Sequence, residues 1–226
     1  MRSATRQRVT AQRPRPATRK SAGSSGATPQ LDSRQRLLNQ AAHLFLTGGF
    51  QGVGIAELCA TANVQKGTFY HFFESKTHLL LEVIERHVAE INEAINVIAA
   101  KDAVASRKIV SLFTMGQPGA SDKAHAITFP GYFLGNIVLE LASQNPPVQE
   151  ATRLAFALWT RSIAQIVTQL IAEEKLYSLD AQDAAEAVLG LLQGGAVMAN
   201  AYRDPRKMRA FAHTALVLLR AAGANQ

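Results

Sequence analysis

The sequence predicts an all-α protein with nine helices. Apolar residues recur at intervals of three and four through almost the whole chain from residue 33, and Leu and Ala predominate over Val and Ile. Pro, Gly and Asn are concentrated at a few positions between these periodic segments. Strong helix formers in an amphipathic pattern that stops at such residues favour helices. No segment shows the apolar–polar alternation of a half-buried strand.

The first four helices are predicted from caps and turns. Ser33 can cap a helix that ends at Gly48-Gly49, and a short helix follows over about 54–62. A turn near Asn63 leads to a second short helix over about 65–72. Ser75 can then cap a long helix over about 76–100.

Five further helices are predicted in the second half of the chain. They cover roughly 103–116, 128–144, 147–175, 180–203 and 205–222. Each break between them contains a capping residue or a proline that a helix interior does not tolerate. The breaks are Gly116–Gly119, Asn145–Pro147, Tyr177–Asp180 and Asp204-Pro205.

The net charge of +7 lies entirely in residues 1–30. That segment has seven Arg and Lys residues and no Asp or Glu, so the 24 basic and 17 acidic residues of the chain leave a neutral remainder. It has too few apolar residues to offset the entropy of ordering, and we expect a disordered arm. It could be a solubilising leader or an arm that contacts phosphates or a minor groove. An organelle transit peptide fits less well because the segment has no apolar face.

Several classes of function are excluded by composition. The single cysteine, Cys59, permits neither an internal disulfide nor a paired-cysteine metal site, which favours a reduced cytoplasm. No run reaches the roughly 18 apolar residues of a membrane span, and the first residues lack the apolar stretch of a signal peptide. The six histidines show no metal spacing, and there is no glycine-rich phosphate loop or serine elbow. We therefore expect no enzyme activity, no cofactor, no metal and no membrane partner.

Residues 50–81 carry the most informative pattern. Two short helices joined by a tight turn and preceded by a longer helix are the parts of a helix-turn-helix. Six residues have the spacing of a small core: Ile55, Leu58, Cys59, Val64, Phe69 and Phe73. That leaves polar residues to face outward, where they can meet phosphates and base edges. The candidate DNA-binding residues are Gln65, Lys66, Gly67, Thr68, Tyr70, His71 and Lys76.

Residues 33–80 resemble the DNA-binding domain of the tetracycline-repressor family. The matching positions are Gly49-Phe50, Val64, Lys66–His71, Phe73 and Ser75-Lys76. Three positions depart from that pattern, namely Val53-Gly54 in place of a hydroxyl residue, Asn63 in place of a turn glycine, and Phe72 in place of Tyr or His. Fewer phosphate contacts follow from these departures, and the basic arm could compensate for them.

The resemblance implies a domain organisation. Residues 1–30 would be the basic arm, 31–80 the helix-turn-helix DNA-binding domain, and 81–226 a helical ligand-binding and dimerisation domain. In the family the last two helices form a four-helix bundle across a two-fold axis, and here they are strongly apolar, with Gly190 and Gly194 four residues apart. We expect a homodimer through these helices, although they could instead be the core of a monomer.

The middle helices would enclose a pocket for a small apolar or aromatic effector. The candidate ligand-binding residues are Phe113, Phe129, Tyr132, Phe133, Asn136, Phe156, Trp159 and Met198. Asn136 stands out because an amide on an apolar helix needs a partner. The expected function is a ligand-responsive regulator that binds double-stranded DNA at a palindromic operator and is released by its effector. The alternative is an architectural or protein-interaction module that binds nucleic acid nonspecifically through the basic tail.

Overall fold

Nine α-helices and one π-helical turn make up the described residues, 32–115 and 130–224, of the computed structural model. The α-helices are α1 (Ser33–Gly48), α2 (Ile55–Thr61), α3 (Lys66–Phe72), α4 (Lys76–Ala99), α5 (Ala105–Thr114), α6 (Pro130–Ile137), α7 (Pro146–Glu174), α8 (Ala181–Ala201) and α9 (Lys207–Gly223). The π-helical turn, Val138–Ala142, continues α6. The prediction of an all-α fold is confirmed, and these two ranges contain no strand. The predicted basic arm lies outside the described residues.

Side-chain caps set several helix starts. The Asp32 carboxylate caps α1 by accepting a hydrogen bond from the Gln35 amide at 2.7 Å, so the prediction of Ser33 as the cap is wrong. The reason is that Asp32 has the extended backbone that a cap requires, whereas Ser33 is already helical. Ser75 caps α4 through the His78 amide at 3.0 Å, as predicted. Asn63 holds the tight turn with φ 51°, which confirms the expected left-handed residue there.

The predicted helix over 128–144 is regular only in its first part. From Val138 to Ala142 the backbone forms a π-helical turn, and the chain leaves it at Ser143. Such turns are uncommon and often mark functional positions. Leu139 is 84% exposed here, and the next residue, Glu140, turns toward the segment between α1 and α2.

The first three helices share a small core. Leu58, Phe69 and Phe73 are fully buried, and Leu37 from α1 lies against them in the same apolar cluster. Ile55 and Val64 are only partly buried but pack on that cluster, so the six residues chosen from their spacing lie in or against one core. None of these three helices buries enough apolar surface to be stable alone, and their large side chains stabilise one another by packing together.

The same apolar cluster continues between α4, α7 and α8. Trp159 of α7 is 1% exposed, and its indole N–H donates to the Val88 carbonyl at 3.2 Å. By length and composition α7 could cross a membrane, and 44% of its most apolar stretch is buried inside the protein. Ten α7 residues are buried, among them Ile163 and Leu170, so α7 acts as the central core helix of this fold.

Side-chain hydrogen bonds show the directions of the long helices. α4 starts beside α3, and α7 runs parallel to it. Ser162 of α7 bonds Asn92 in α4, and Gln169, later in α7, bonds the Ala103 carbonyl just beyond the end of α4. α8 then returns, and α9 runs outward again to the far end, where Arg220 meets Glu174 at 2.7 Å. The turn between α8 and α9 therefore lies at the same end of the bundle as the helix-turn-helix.

Candidate nucleic-acid interface

Helix α3 presents a polar face to solvent. Lys66, Tyr70 and His71 are exposed, as are Gln65 and Gly67, whereas Thr68 is partly exposed. On the opposite side Phe69 is completely buried and its ring meets the ring of Tyr70 edge-on at 5.2 Å. The Lys66 ammonium lies 6.0 Å from the centre of the half-exposed Tyr70 ring. α3 therefore has one anchored side and one side whose cation, phenol, hydroxyl and imidazole are available to a partner.

Around α3, two of the three departures from the family pattern have local consequences. Val53 is buried, and Gly54 caps α2 without any side-chain hydrogen bond, so this helix start offers no hydroxyl to a phosphate. Phe72 is partly buried and packs edge-on against His71 at 4.8 Å. Cys59 is a buried free thiol whose pKa is raised by burial, against a smaller opposing effect of the Lys66 charge.

Lys76 makes its contacts inside the protein. Its ammonium donates to the carbonyls of Phe50 and Val53, both at 2.8 Å, and lies 4.2 Å from the centre of the Phe50 ring. Burial lowers the pKa of Lys76, while the neighbouring Glu140 carboxylate raises it. Two of the three N–H donors of the Lys76 ammonium are thus occupied. The sequence predicted that this ammonium contacts the DNA backbone, whereas here it stabilises the loop that precedes α2.

Glu140 holds the other side of the same loop. Its carboxylate accepts hydrogen bonds from the amides of Phe50 at 3.0 Å and Gln51 at 2.7 Å. The loop between α1 and α2, residues 49–54, is therefore held on two sides. Lys76 of α4 binds its carbonyls, and Glu140 of the π-helical turn binds its amides. Gly49 has φ 72° and passes so close that a Cβ there would lie 3.4 Å from the carboxylate oxygens. Sequence reasoning missed Glu140, although a single acid in the apolar stretch 131–142 was a usable signal.

A small apolar cavity lies between α4, α5, α7, α8 and α9. Its volume is about 20 Å³, roughly the space of one water molecule. Two of the candidate ligand-binding residues, Phe113 and Trp159, line it together with Met115 and Ile91. Among the lining residues, Trp159 already donates its indole N–H to the Val88 carbonyl, and Gln193 has the other polar side-chain group. Gln193 was not among the predicted ligand-binding residues.

The other candidate ligand-binding residues lie elsewhere. Phe133 is buried against His87, with 5.1 Å between ring centres, and Asn136 and Phe156 are partly buried outside the cavity lining. Met198 is 40% exposed because the α8 residues that face the core are those at other positions of the helical register, such as Ala196 and Ala199. Its expected place in the pocket is therefore wrong for this conformation. Phe129 and the Tyr132 side chain lie outside the described residues.

The outer side of α8 and α9 carries exposed apolar side chains. Val197, Val217 and Leu218 are 50%, 62% and 52% exposed. Gly190 and Gly194 lie on the outer side of α8, and a Cβ at either position would meet nothing within 4 Å. Within the described ranges no group of three His, Cys, Asp or Glu residues could hold a metal ion.

Two protein-family models match the chain. The model described as "Bacterial regulatory proteins, tetR family" matches residues 37–83, which contain α2, α3 and the start of α4. The model described as "Tetracyclin repressor-like, C-terminal domain" matches residues 125–215. Together they cover more than half of the 226 residues.

Individual relatives agree with these models. The HTH-type transcriptional repressor NemR of Escherichia coli (strain K12) is 44% identical over 62 residues, which are 27% of this chain and 31% of that repressor. The crystal structure of reduced E. coli NemR superimposes with a TM-score of 0.68 at 21% identity, covering 81% of this chain and 95% of that one. The Bacillus subtilis regulator FadR in complex with stearoyl-CoA gives a TM-score of 0.62 at 17% identity, with 82% and 96% covered.

Proposed function

The chain belongs to the tetracycline-repressor family, and from that premise we propose that it is a transcriptional regulator whose homodimer binds a palindromic operator and is released by a small effector. The observation that carries this proposal is the polar face of α3. Lys66, Tyr70 and His71 project from a helix that the buried Phe69 fixes in orientation. Such a helix can enter the major groove of DNA, where it offers a cation to phosphates and hydrogen-bonding groups to base edges. We propose a cytoplasmic location with this function, because the DNA that such a regulator binds lies there.

The outer side of α8 and α9 supports dimerisation. One helix-turn-helix reads only a few base pairs, and a two-fold dimer doubles both the contact and the specificity. Val197, Val217 and Leu218 would be removed from water at such an interface, and Gly190 and Gly194 leave room for close helix approach. Substituting Glu for Val197 and Leu218 would then yield monomers, whereas Glu at the equally exposed Leu154 of α7 would not.

The apolar cavity supports an effector that is apolar or aromatic and carries one hydrogen-bonding group. Its lining offers apolar side chains and the Gln193 carboxamide. A ligand of ordinary size needs several hundred Å³, so the helices that line the cavity, among them α4 and α8, must move apart around the roughly 20 Å³ present. Trp159 lines this cavity and is the one tryptophan in the chain, so its fluorescence should report ligand entry directly.

The two grips on the α1–α2 loop support the coupling between effector and DNA. A ligand changes DNA affinity only if it binds one conformation better than another. Displacement of α8 by a ligand would be passed to α6, because the Gln193 side chain lies beside Gly135, and α6 continues into the π-helical turn that carries Glu140. A swing of α4, which also lines the cavity, would carry Lys76. Either motion would reorient α3 and alter the separation of the two reading helices.

A binding experiment with matched variants tests the proposal. Duplexes are selected from a random pool with the wild-type protein, and gel-shift titrations with competitor DNA follow. Replacing both Lys66 and Tyr70 with Ala should abolish preference for the selected palindrome. Replacing Lys101 and Tyr177 with Ala, the same residue types exposed at the far end, should leave it intact. Binding without any sequence preference would refute the regulator and support the nonspecific module instead.

A further inference from the structure

The turn between α8 and α9 is strongly basic. Residues 202–209, here named the basic turn, contain Arg203, Arg206, Lys207 and Arg209 against the single acid Asp204. Arg206 pairs with Asp204 at 2.9 Å, and the Lys207 ammonium lies 3.9 Å from the centre of the Tyr202 ring. Arg203 and Arg209 are exposed, and their side chains have no hydrogen-bond or ion-pair partner among residues 32–115 and 130–224.

Helix electrostatics does not account for these cations. Arg203 follows the carboxyl end of α8, where the helix dipole favours positive charge. The other three occupy the cap and the first turn of α9, where the positive end of the dipole disfavours it. A gain in the stability of α9 is therefore not the reason for three basic residues at this position.

The basic turn lies at the end of the helices where the helix-turn-helix is attached. α6 and α8 both run toward the helix-turn-helix, with Gly135 beside Gln193. At 1.5 Å per residue, α8 descends about 12 Å from Gln193 to its end, and α6 descends about 7 Å to the Glu140 contact with the α1–α2 loop. Measured along these helices, the basic turn thus lies within about one helical turn of the Glu140 contact that attaches the helix-turn-helix.

The far end of α4, α5, α7, α8 and α9 carries little net charge. Six acidic residues there (Asp102, Glu173, Glu174, Asp180, Asp183 and Glu186) are accompanied by five basic ones (Lys101, Arg107, Lys108, Lys175 and Arg220). The excess of positive charge in these helices therefore lies in the basic turn, at the end where DNA would lie. Such a field attracts a polyanion to one end of the protein.

We propose that the basic turn is a second DNA contact, which meets phosphates at the centre of the operator between the two half-sites. This rests on the proposed function, because a dimer formed through α8 and α9 brings both basic turns next to the two-fold axis. Side chains in the first turn of a helix lean toward its amino end, so Arg209 extends toward the DNA side. Arg203 and Arg209 are the pair with unused donors, and phosphate oxygens accept them well.

Neutralising that pair tests the proposed second DNA contact. The Arg203→Gln/Arg209→Gln dimer should bind the selected palindrome and a random duplex several-fold more weakly. The slope of log affinity against log salt should become shallower by about 1 for each phosphate that the protein no longer neutralises, up to about 4 per dimer. Interference by ethylation of the central phosphates, present with the wild type, should disappear. The control Lys101→Gln/Arg107→Gln removes the same charge at the far end and should keep the wild-type slope.

The outcomes separate the role of the basic turn from the underlying function. Absence of all sequence preference in the wild type would refute the proposed function itself. A wild-type protein that selects a palindrome, combined with an Arg203→Gln/Arg209→Gln variant that keeps the full salt slope and central interference, would overturn the basic turn alone. Thermal melting excludes misfolding, and the variant should melt close to the wild type, because the loss of Arg203 after the end of α8 is offset by the loss of Arg209 from the start of α9.

Discussion

Removing the Glu140 carboxylate should loosen the attachment of the helix-turn-helix to α6 and its π-helical turn. In Glu140→Ala the amides of Phe50 and Gln51 are deprived of acceptors at 3.0 and 2.7 Å. The Lys76 grip on the carbonyls of the same loop remains, so the loop stays attached on one side only. Glu140→Gln retains one oxygen that can accept and should have an intermediate effect.

The structure sets the size of this effect. A hydrogen bond to a charged group contributes about 1.5–3 kcal/mol when it is shielded from water. The Gln51 amide is exposed and the Phe50 amide is part-buried, so water replaces much of the interaction that the carboxylate provided. We expect a net destabilisation of about 2 kcal/mol for Glu140→Ala, which lowers Tm by about 4–8 °C for a chain of this size.

Thermal melting at one fixed protein concentration measures this destabilisation, since dimerisation makes Tm depend on concentration. Amide hydrogen exchange gives a local readout, and Phe50 and Gln51 should exchange faster in the variant. Glu150→Ala is the control, because Glu150 is an exposed acid whose one ion pair within residues 32–115 and 130–224 is with Arg153 one turn away. Equal melting of Glu140→Ala and Glu150→Ala, with unchanged exchange at both amides, would refute the proposed grip on the loop.

Three further outcomes are expected. Because burial raises the pKa of Cys59, its thiol should resist alkylation at neutral pH in the folded protein and react fully after unfolding, and rapid native labelling would contradict this. Gly195→Ala should lower Tm because a Cβ would lie 3.1 Å from an α9 ring, whereas Gly194→Ala faces open space and should melt no lower at concentrations where the protein is monomeric. The Arg220 hydrogen bond lowers the pKa of Glu174, so its stabilisation is complete above the ordinary carboxyl pKa of about 4 and is lost as pH falls through the lower folded value. Glu174→Gln should therefore melt below the wild type at pH 7 and converge with it in acid, and a difference that persists in acid would point to packing.

Features set by neighbouring residues along the chain were predictable from the sequence. Ser75 and Asn63 act through contacts a few residues away, and the structure places both as expected. The polar face of α3 followed from helical spacing once Phe69 and Phe73 were assigned to the core. Ser33 shows the limit of this reasoning, because the adjacent Asp32 has the better cap geometry and the pattern alone does not choose between them.

Contacts between distant segments were not predictable in the same way. Lys76 and Phe50 are 26 positions apart, and Glu140 and Phe50 are 90 apart, so no spacing rule connects them. Composition likewise did not distinguish Met198, which faces outward, from Phe113, which lines the cavity. Both are apolar helix residues, and only the packing of α8 against its neighbours decides which one is enclosed.

The near absence of free space in the cavity has a consequence for sensitivity. With room for about one water, the ligand-free protein must first adopt a rarer, wider arrangement before an effector fits. The apparent dissociation constant then equals the intrinsic one divided by the fraction of molecules in that arrangement. Tight packing among Ile91, Phe113 and Trp159 would thereby set a concentration threshold, below which trace metabolites leave transcription unaltered. Trimming one of these side chains would lower the threshold without creating any new contact to the effector.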